Sequence, residues 1–162
     1  MIAAEMLASA DDALHARIRD ASNLINAGAA RAAMHALQRL KNSEWPTATP
    51  HNRYRLLTAL ASANVVLGHT AQAIVGYREA YACAPDFPVA RATLATAQLM
   101  DNEPTTAFAT ASQALQEDPS CEQAALILIQ ATPSTIDTSE LRAMLPAPLL
   151  EKPLVLVALA WL

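Results

Sequence analysis

Glycine is scarce in this chain, with three residues among 162, and aromatic residues make up only 4%. A phosphate-binding loop needs clustered glycines, and a nucleophile elbow needs a Gly-x-Ser-x-Gly segment, so the sequence excludes both kinds of catalytic site. The chain contains instead 37 alanines. This composition is typical of closely packed helices and not of a β-sandwich.

Cysteine and lysine are also scarce, at two residues each. Cys83 and Cys121 have no Cys-x-x-Cys spacing, so we expect two free thiols. The net charge of -4 provides no basic field for phosphate backbones, and we expect no nucleic-acid partner. Abundant alanine and arginine with little lysine also indicates a bacterial source.

Long hydrophobic runs are absent. The longest, from Pro153 to Leu162, has ten residues, whereas a membrane-spanning helix needs about 20. The N-terminal segment lacks the basic start and unbroken apolar core of a signal peptide, because Asp11 and Asp12 interrupt it. We therefore expect no membrane span in this segment and favour a cytoplasmic location.

Candidate catalytic and metal-binding residues are not grouped in any familiar pattern. The four histidines are 16 to 20 residues apart, without the spacing of a metal site. Asp11–Asp12 and Glu117–Asp118 are adjacent pairs whose side chains diverge by about 100° on a helix. We expect the first pair to serve a helix N-terminus and the second to lie in solvent. The sequence therefore predicts a noncatalytic protein without a metal ion or a cofactor.

The chain matches itself when it is shifted by 34 residues. The identical pairs are Leu60 with Leu94, Ala61 with Ala95, Ala63 with Ala97, Ala73 with Ala107, Ala80 with Ala114, and Pro85 with Pro119. Upstream the offset is 40 residues, which a six-residue insertion within 43–52 explains. A period of this length is typical of stacked helical repeats. The matching alanines predict helix crossings, because a methyl group lets two helix axes approach closely.

Within one unit the signals describe two helices and a turn. In residues 54–87, apolar residues recur at helical spacing in two segments, which Gly68 separates and Pro85 ends. Asn52 is expected to cap the first helix, and Gly68 to end it in the left-handed conformation. Each unit is therefore predicted to be a pair of antiparallel helices.

This pattern resembles the tetratricopeptide repeat (TPR) family, whose 34-residue unit holds large, small and aromatic residues, alanines and a proline at fixed places. In the second unit the matching residues are Leu57, Leu60, Ala61, Asn64, Ala73, Tyr77, Ala80 and Pro85. In the third they are Arg91, Leu94, Ala95, Gln98, Ala107, Ala111, Ala114 and Pro119. Asn64 and Gln98 stand where the family has an aromatic residue, which marks these units as divergent.

The resemblance implies an all-α fold, an α–α superhelix of antiparallel helix pairs, as one repeat domain over residues 1–162. We expect units at about 14–47, 54–87, 88–121 and 122–155, and residues 156–162 as the start of a further helix. Prolines shorten both helices of the fourth unit. A generic alanine-rich helical bundle is the alternative fold.

The apolar C-terminal end carries an expectation of its own. Residues 154–162 should pack on the fourth unit and leave an exposed apolar edge. Terminal repeats normally present a polar outer face, so we expect the chain to be an excerpt of a longer protein, or its end to be covered by a second copy.

In TPR proteins the first helices of successive units line a concave groove that holds a peptide or a helix of another protein. Carried over by the resemblance, the inward residues of this chain are Arg55, Thr58, Ser62, Val65, Val66, Val89, Ala92, Thr96, Leu99 and Met100. The divergent first unit adds His15, Ile18, Ser22 and Asn26. The alternative for these residues is that they pack beneath a neighbouring helix.

The resemblance therefore implies a noncatalytic interaction scaffold that binds a protein or peptide, or another part of the same polypeptide. The small, hydroxylated and apolar groove suits an apolar or helical segment. The alternative function is a regulatory or substrate-recruiting arm of a larger enzyme, such as a glycosyltransferase.

Overall fold

A computed structural model describes residues 2–161, with side chains from residue 10 onward. Within this range every regular element is helical, which confirms the predicted all-α class. The elements are α1 (Ile2–Asn26), α2 (Ala30–Glu44), α3 (Pro50–Val66), α4 (Thr70–Cys83), α5 (Ala90–Met100), α6 (Pro104–Glu117), α7 (Glu122–Gln130), α8 (Thr138–Met144), a 3-10 helix (Ala147–Glu151) and α9 (Pro153–Ala160).

The chain divides into two compact units: unit 1 is Met1–Ala84 and unit 2 is Pro85–Leu162. Unit 1 contains α1 to α4, and unit 2 contains α5 to α9. The division falls at Pro85, where α4 has ended and where the sequence predicts the end of the second helix of a repeat. The expectation of one repeat domain over the whole chain stays a prediction.

In unit 1, helices that follow one another in sequence pair, and α1 also packs on α3. The α3–α4 pair is antiparallel, since only residues 67–69 connect the two packed helices. Ser62 of α3 hydrogen-bonds Tyr77 of α4 at 3.1 Å. In contrast, α1 and α3 run parallel, because two contacts repeat at nearly the same offset: Asp11 with Asn52, and His15 with Arg55. Leucines, Ile18 and small residues from α1, α2 and α3 form the core between them.

Small side chains fill the crossing of α3 and α4. Ala61 and Ala73, which the sequence predicts at this crossing, are both fully buried. The closest approach involves Gly76 of α4, where an added Cβ would lie 3.1 Å from the Cβ of Ala61. The role of Gly76 at this crossing was not predicted from the sequence. Its missing side chain allows the close contact between the two helices.

The same backbone turn ends α1, α3 and α5. Gly28, Gly68 and Asn102 occupy the left-handed region, with φ of 79°, 77° and 61°. In each turn the N–H of this residue donates to the carbonyl three positions earlier, and the next N–H to the carbonyl five positions earlier, at 2.8 to 3.1 Å. The left-handed conformation predicted for Gly68 is confirmed, and Asn102 adopts it because its short polar side chain tolerates this region.

Unit 2 begins with a regular antiparallel pair and continues less regularly. Arg91 at the start of α5 forms an ion pair of 2.9 Å with Glu117 at the end of α6, and α7 packs on α5, α6 and α9. After α7 the turn changes, because Pro133 lacks the N–H that a second turn hydrogen bond requires. The short α8 begins with a capping box between Asp137 and Glu140.

The C-terminal helix α9 shows two different faces. Val155 and Leu159 are buried in the core of unit 2, and α9 packs on α7 and the 3-10 helix. Leu154, Val157 and Trp161 are exposed. The predicted packing of residues 154–161 on the fourth repeat (about 122–155), with an exposed apolar edge, is therefore confirmed. Leu162 lies outside the described residues.

The structure corrects two expectations about helix starts. Thr49, not Asn52, caps α3: its hydroxyl accepts from the Asn52 amide at 3.3 Å, and Pro50 takes the first helical position. Asp11 and Asp12 lie inside α1, which begins at Ile2, so they do not serve a helix N-terminus. The repeat signal could not show this extension, since residues 2–13 have no counterpart in the later units.

Candidate functional site

Two parallel helices of unit 1 enclose an open groove of about 370 Å³. We call it the α1–α3 groove; it is lined by His15, Ile18, Arg19, Ser22, Ile25 and Asn26 of α1 and by Arg55, Thr58, Ala59 and Ser62 of α3. Three of the five residues predicted on α3 line it, as do all four predicted on α1. The groove forms because α1 and α3 are the first helices of successive hairpins and lie side by side.

A polar cluster fixes the two helices at one end of the groove. The Asp11 carboxylate accepts hydrogen bonds from the Thr49 hydroxyl at 2.8 Å and from the Asn52 side-chain amide at 2.7 Å. The same amide donates to the Asp11 main-chain carbonyl at 2.9 Å. Asn52 is buried, and its Oδ1 has no hydrogen-bond partner among the described residues. These bonds set the register in which α1 and α3 face one another.

The groove is cationic at this end. One turn beyond the polar cluster, the Arg55 guanidinium donates to Nδ1 of His15, so His15 carries its own proton on Nε2 when it is neutral. Arg19 adds a second guanidinium to the lining. Arg19 also forms an ion pair of 3.7 Å with Asp20, which partly compensates its charge.

The opposite end of the groove is apolar. Ile25 lines it on α1, and at the offset that joins His15 with Arg55, Val65 of α3 lies level with Ile25. Val65 and Val66, both predicted to contact a partner, are exposed to 44% and 58%. They lie on the last turn of α3, beyond the residues that enclose the groove.

Hydroxyl groups occupy the middle of the groove. Ser22 donates to the carbonyl of Ile18, Thr58 to that of Arg55 and Ser62 to that of Thr58, at 2.8 to 2.9 Å. Because Ser62 gives its proton to the main chain, the Tyr77 hydroxyl is the donor in the bond between them. These hydroxyls are thus held in fixed orientations by their own helices.

The residues predicted on unit 2 lie in a different environment. Ala92 is fully buried in the unit 2 core, so it lines no open face. Val89 and Leu99 pack partly against that core, and the Thr96 hydroxyl accepts from the Gln123 side-chain amide of α7 at 2.9 Å. Met100 is half-buried. On α5, the packing of α7 therefore takes up much of the face that the resemblance assigned to a partner.

Three residues that line the groove were not predicted from the sequence: Arg19, Ile25 and Ala59. Ile25 was identifiable, because it precedes Val65 by the 40-residue offset already visible in the repeat. Ala59 forms part of the buried surface between α1 and α3. Arg19 gave no signal, since a charged residue on a helix is normally read as a solvated one.

Other potentially reactive groups do not form a site. The free cysteines are Cys83 in unit 1 and Cys121 in unit 2, and burial raises the pKa of the Cys121 thiol, which disfavours the nucleophilic thiolate. Within the described part of the chain, His, Cys, Asp and Glu do not gather into a group that could hold a metal ion. Among residues 2–161, no helix combines the length and apolarity needed to cross a membrane.

Comparisons with protein-family models, with curated proteins and with solved structures give no match. The assignment of a function therefore depends on the geometry of the groove.

Proposed function

We propose that the chain is a noncatalytic interaction scaffold of the TPR type, which holds a peptide or a helical segment in the α1–α3 groove. One observation carries the proposal. Residues on α1 and α3 that the TPR pattern assigns to a partner-binding face line one open groove with a cationic and an apolar end.

The helix arrangement within each unit supports the TPR part of the proposal. Antiparallel pairs follow one another, and the first helix of a pair packs on the first helix of the next: α1 on α3 in unit 1, and α5 on α7 in unit 2. The identical turns at Gly28, Gly68 and Asn102 occur at the predicted repeat spacing. These features are expected of an α–α superhelix of helix pairs.

The groove chemistry supports binding over catalysis. The serine and threonine hydroxyls give their protons to main-chain carbonyls, whereas His15 accepts from Arg55. A serine nucleophile needs the opposite arrangement, in which its hydroxyl donates to a histidine base.

The proposal is tested in two steps. A photo-crosslinking amino acid at Ser62 identifies the partner, and titration calorimetry then measures its affinity for the wild type and for Thr58→Glu. Thr58 is half-buried in the groove, so a carboxylate there should weaken binding at least about tenfold without loss of helical circular dichroism.

A matched control uses a second groove of unit 1, of about 480 Å³, which lies between α2 and α4. Gln72 lines that groove, and Gln72→Glu adds the same charge as Thr58→Glu on another face. Partner affinity should not respond to Gln72→Glu. Unchanged affinity in Thr58→Glu together with a loss in Gln72→Glu would refute the proposal and move the site to the α2–α4 groove.

A further inference from the structure

Helix α9 is apolar on every side, yet only one side is covered. Its residues from Pro153 to Ala160 include no charged side chain. A helix of this kind is normally buried all around. Val155 and Leu159 are buried in the core of unit 2, whereas the side of α9 that points away from them is open to solvent.

The open side of α9 is a broad face. Successive residues of a helix are rotated by about 100°, so the exposed residues of α9 and the tryptophan that follows it cover an arc of about 160°. We call them the α9 face: Pro153, Leu154, Leu156, Val157, Ala160 and Trp161. This arc is wider than the single line of anchors by which a helix fits a groove. It suits a second helix that lies alongside.

The area of the α9 face corresponds to one half of a small dimer interface. Trp161 is exposed to 85%, Leu154 to 60% and Val157 to 55%. From the sizes of its side chains, the face presents about 500 Å² of apolar surface. Two such faces in contact bury about 1,000 Å², which reaches the lower limit for a specific interface between proteins. One second copy is therefore sufficient to cover the face, and the dimer is expected to be weak.

The grooves of unit 1 are poor counterparts for the α9 face, because charged side chains line them. Arg17, Asp20 and Arg39 line a groove of about 600 Å³ between α1 and α2. Lys41 and Glu79 line the α2–α4 groove, and the α1–α3 groove is cationic at one end. Covering a charge with apolar surface costs free energy unless the charge finds a partner. The α9 face offers no such partner.

A second α9 face is the counterpart that leaves no charge covered. A hollow beside Met144 in unit 2 is also uncharged, yet its volume of about 250 Å³ admits one side chain and not a whole face. The α9 face of another copy has the same width and the same uncharged residues. Pairing of the two faces thus removes apolar surface from water on both sides, which is favourable.

We propose that two copies of the chain pair through their α9 faces, antiparallel and about a twofold axis next to Val157. Along the helix, Val157 lies midway between Pro153 and Trp161. The axis therefore sets Trp161 of each copy against Pro153 and Leu154 of the other. Ala160, near the centre of the face, lets the two helices approach closely.

The proposed contact is isologous, so it closes with two copies and does not continue into a filament. The α1–α3 groove takes no part in it. The inference therefore goes beyond the proposed function and does not depend on it.

The charge of unit 2 predicts how the pair responds to salt. Unit 2 contains three Lys and Arg against nine Asp and Glu, whereas unit 1 contains eight against six. Two copies that pair through unit 2 bring together like net charges of -6, so salt should strengthen the association by screening them. A contact between unit 1 of one copy and unit 2 of another joins +2 to -6 and should weaken with salt.

Sedimentation equilibrium of the whole chain over about a hundredfold range of concentration measures the association. The wild type should form a dimer and nothing larger. Its dissociation constant should fall at least about threefold when the salt concentration is raised from about 0.05 M to about 0.5 M.

A charge at the centre of the face tests the contact. Val157→Glu sets two carboxylates next to each other at the axis and should raise the dissociation constant about a hundredfold. Val75→Glu is the matched control, because Val75 of α4 and Val157 are both exposed to 55%. This control should leave association unchanged. Both variants should keep their helical circular dichroism, since neither position is buried.

The same position tests the twofold axis. Val157→Lys should be monomeric for the same reason as Val157→Glu. An equimolar mixture of the two variants should form a heterodimer, since the axis brings opposite charges into contact. A mixture that stays monomeric would overturn the symmetric contact.

Other outcomes would overturn the inference and name a different occupant. If the wild type stays monomeric and binds phosphatidylcholine vesicles, and Trp161→Ser does not bind them, the face belongs to a bilayer. Larger oligomers that weaken with salt would indicate a head-to-tail contact. Equal effects of Val157→Glu and Val75→Glu would remove α9 from the interface. Thr58→Glu should dimerise as the wild type does, so a failure of the α9 pair and a failure of the proposed groove are distinguishable.

Discussion

At the scale of single residues, the contact between Asp11 and Asn52 connects two helices that are far apart in the sequence. The carboxylate satisfies a buried amide and the hydroxyl of Thr49. A buried polar group costs free energy unless it is hydrogen-bonded. The pair therefore favours one register of α1 against α3, and that register is the one that aligns the two walls of the groove.

Replacing Asp11 by Ala should lower the free energy of unfolding by about 1 to 3 kcal/mol, since the Thr49 hydroxyl and the buried Asn52 amide each lose an acceptor. Asp12→Ala is the matched control, because Asp12 is the exposed neighbour, and its change should stay within about 0.5 kcal/mol. Urea unfolding followed by circular dichroism measures both. Equal effects of the two substitutions would contradict the role assigned to Asp11.

This contact also shows where prediction from sequence ended at the residue scale. Asparagine is a common helix cap, and Asn52 lies near the start of α3, so the sequence suggested a cap. Its burial against Asp11 becomes visible only when the position of α1 is known. A side-chain bond between residues 41 positions apart has no local signature. The conformation of Gly68 was predicted correctly, because it depends only on the local turn and not on a distant helix.

At the scale of helices, the α3–α4 pair depends on the absence of a side chain at Gly76. Gly76→Leu should overpack the crossing against Ala61 and cost about 1 to 3 kcal/mol. Ala71→Leu, at an exposed position one turn or so earlier on α4, should be close to neutral. Thermal and urea unfolding of both variants provides the measurement. A neutral Gly76→Leu would show that the helices separate at no cost.

The start of α8 should respond to acid. The Ser139 hydroxyl and the Glu140 N–H donate to the Asp137 carboxylate and lower its pKa from the ordinary 3.8. A lowered pKa means that the folded state binds this proton less readily, so the stabilisation is present above pH 3.8 and is lost as the pH falls through the lowered value. Cα chemical shifts of α8 should then move towards those of an unfolded segment.

The control for this titration is Asp137→Asn. Asparagine also caps helices but does not titrate. Its α8 shifts should therefore stay constant over the same range of pH. A similar acid response in Asp137→Asn and the wild type would assign the transition to another group.

Helix ends were predicted correctly where a left-handed glycine or a proline follows the helix. Gly68 follows α3 and Pro85 follows α4, whereas Pro50, which opens α3, was not recognised as its start. The other exception lies where the period breaks, because α1 extends towards the N-terminus beyond the first repeat. The short α7 and α8, in contrast, were expected from the prolines of the fourth repeat. Periodicity describes what repeats, and it does not detect a segment that occurs once.

At the scale of the whole molecule, the division at Pro85 predicts that each unit folds without the other. Residues from α1, α2 and α3 form one buried cluster, and residues from α5 to α9 form another. Polypeptides 1–84 and 85–162 should therefore each show cooperative unfolding, and their helical signals should add up to about that of the whole chain. Calorimetry and circular dichroism measure this. A fragment without cooperative unfolding would contradict it.

The candidate site was predictable to the extent that it follows the repeat. The positions on α1 and α3 lie together because one period separates them, and the same rule places Ile25 beside Val65. The rule did not predict the burial of Ala92, because accessibility depends on how far α7 covers α5 and not on the position of a residue within its unit.

The fixed hydroxyls of the groove have a consequence for selectivity. Ser22, Thr58 and Ser62 donate their hydroxyl protons to main-chain carbonyls, so they can only accept a hydrogen bond from an occupant, and Ser62 already accepts one from Tyr77. A carbonyl-rich surface meets repulsion there, and an indole or amide N–H meets attraction. A helical occupant has already used most of its main-chain N–H groups internally, so it must offer the proton from a side chain, whereas an extended peptide can offer it from any residue.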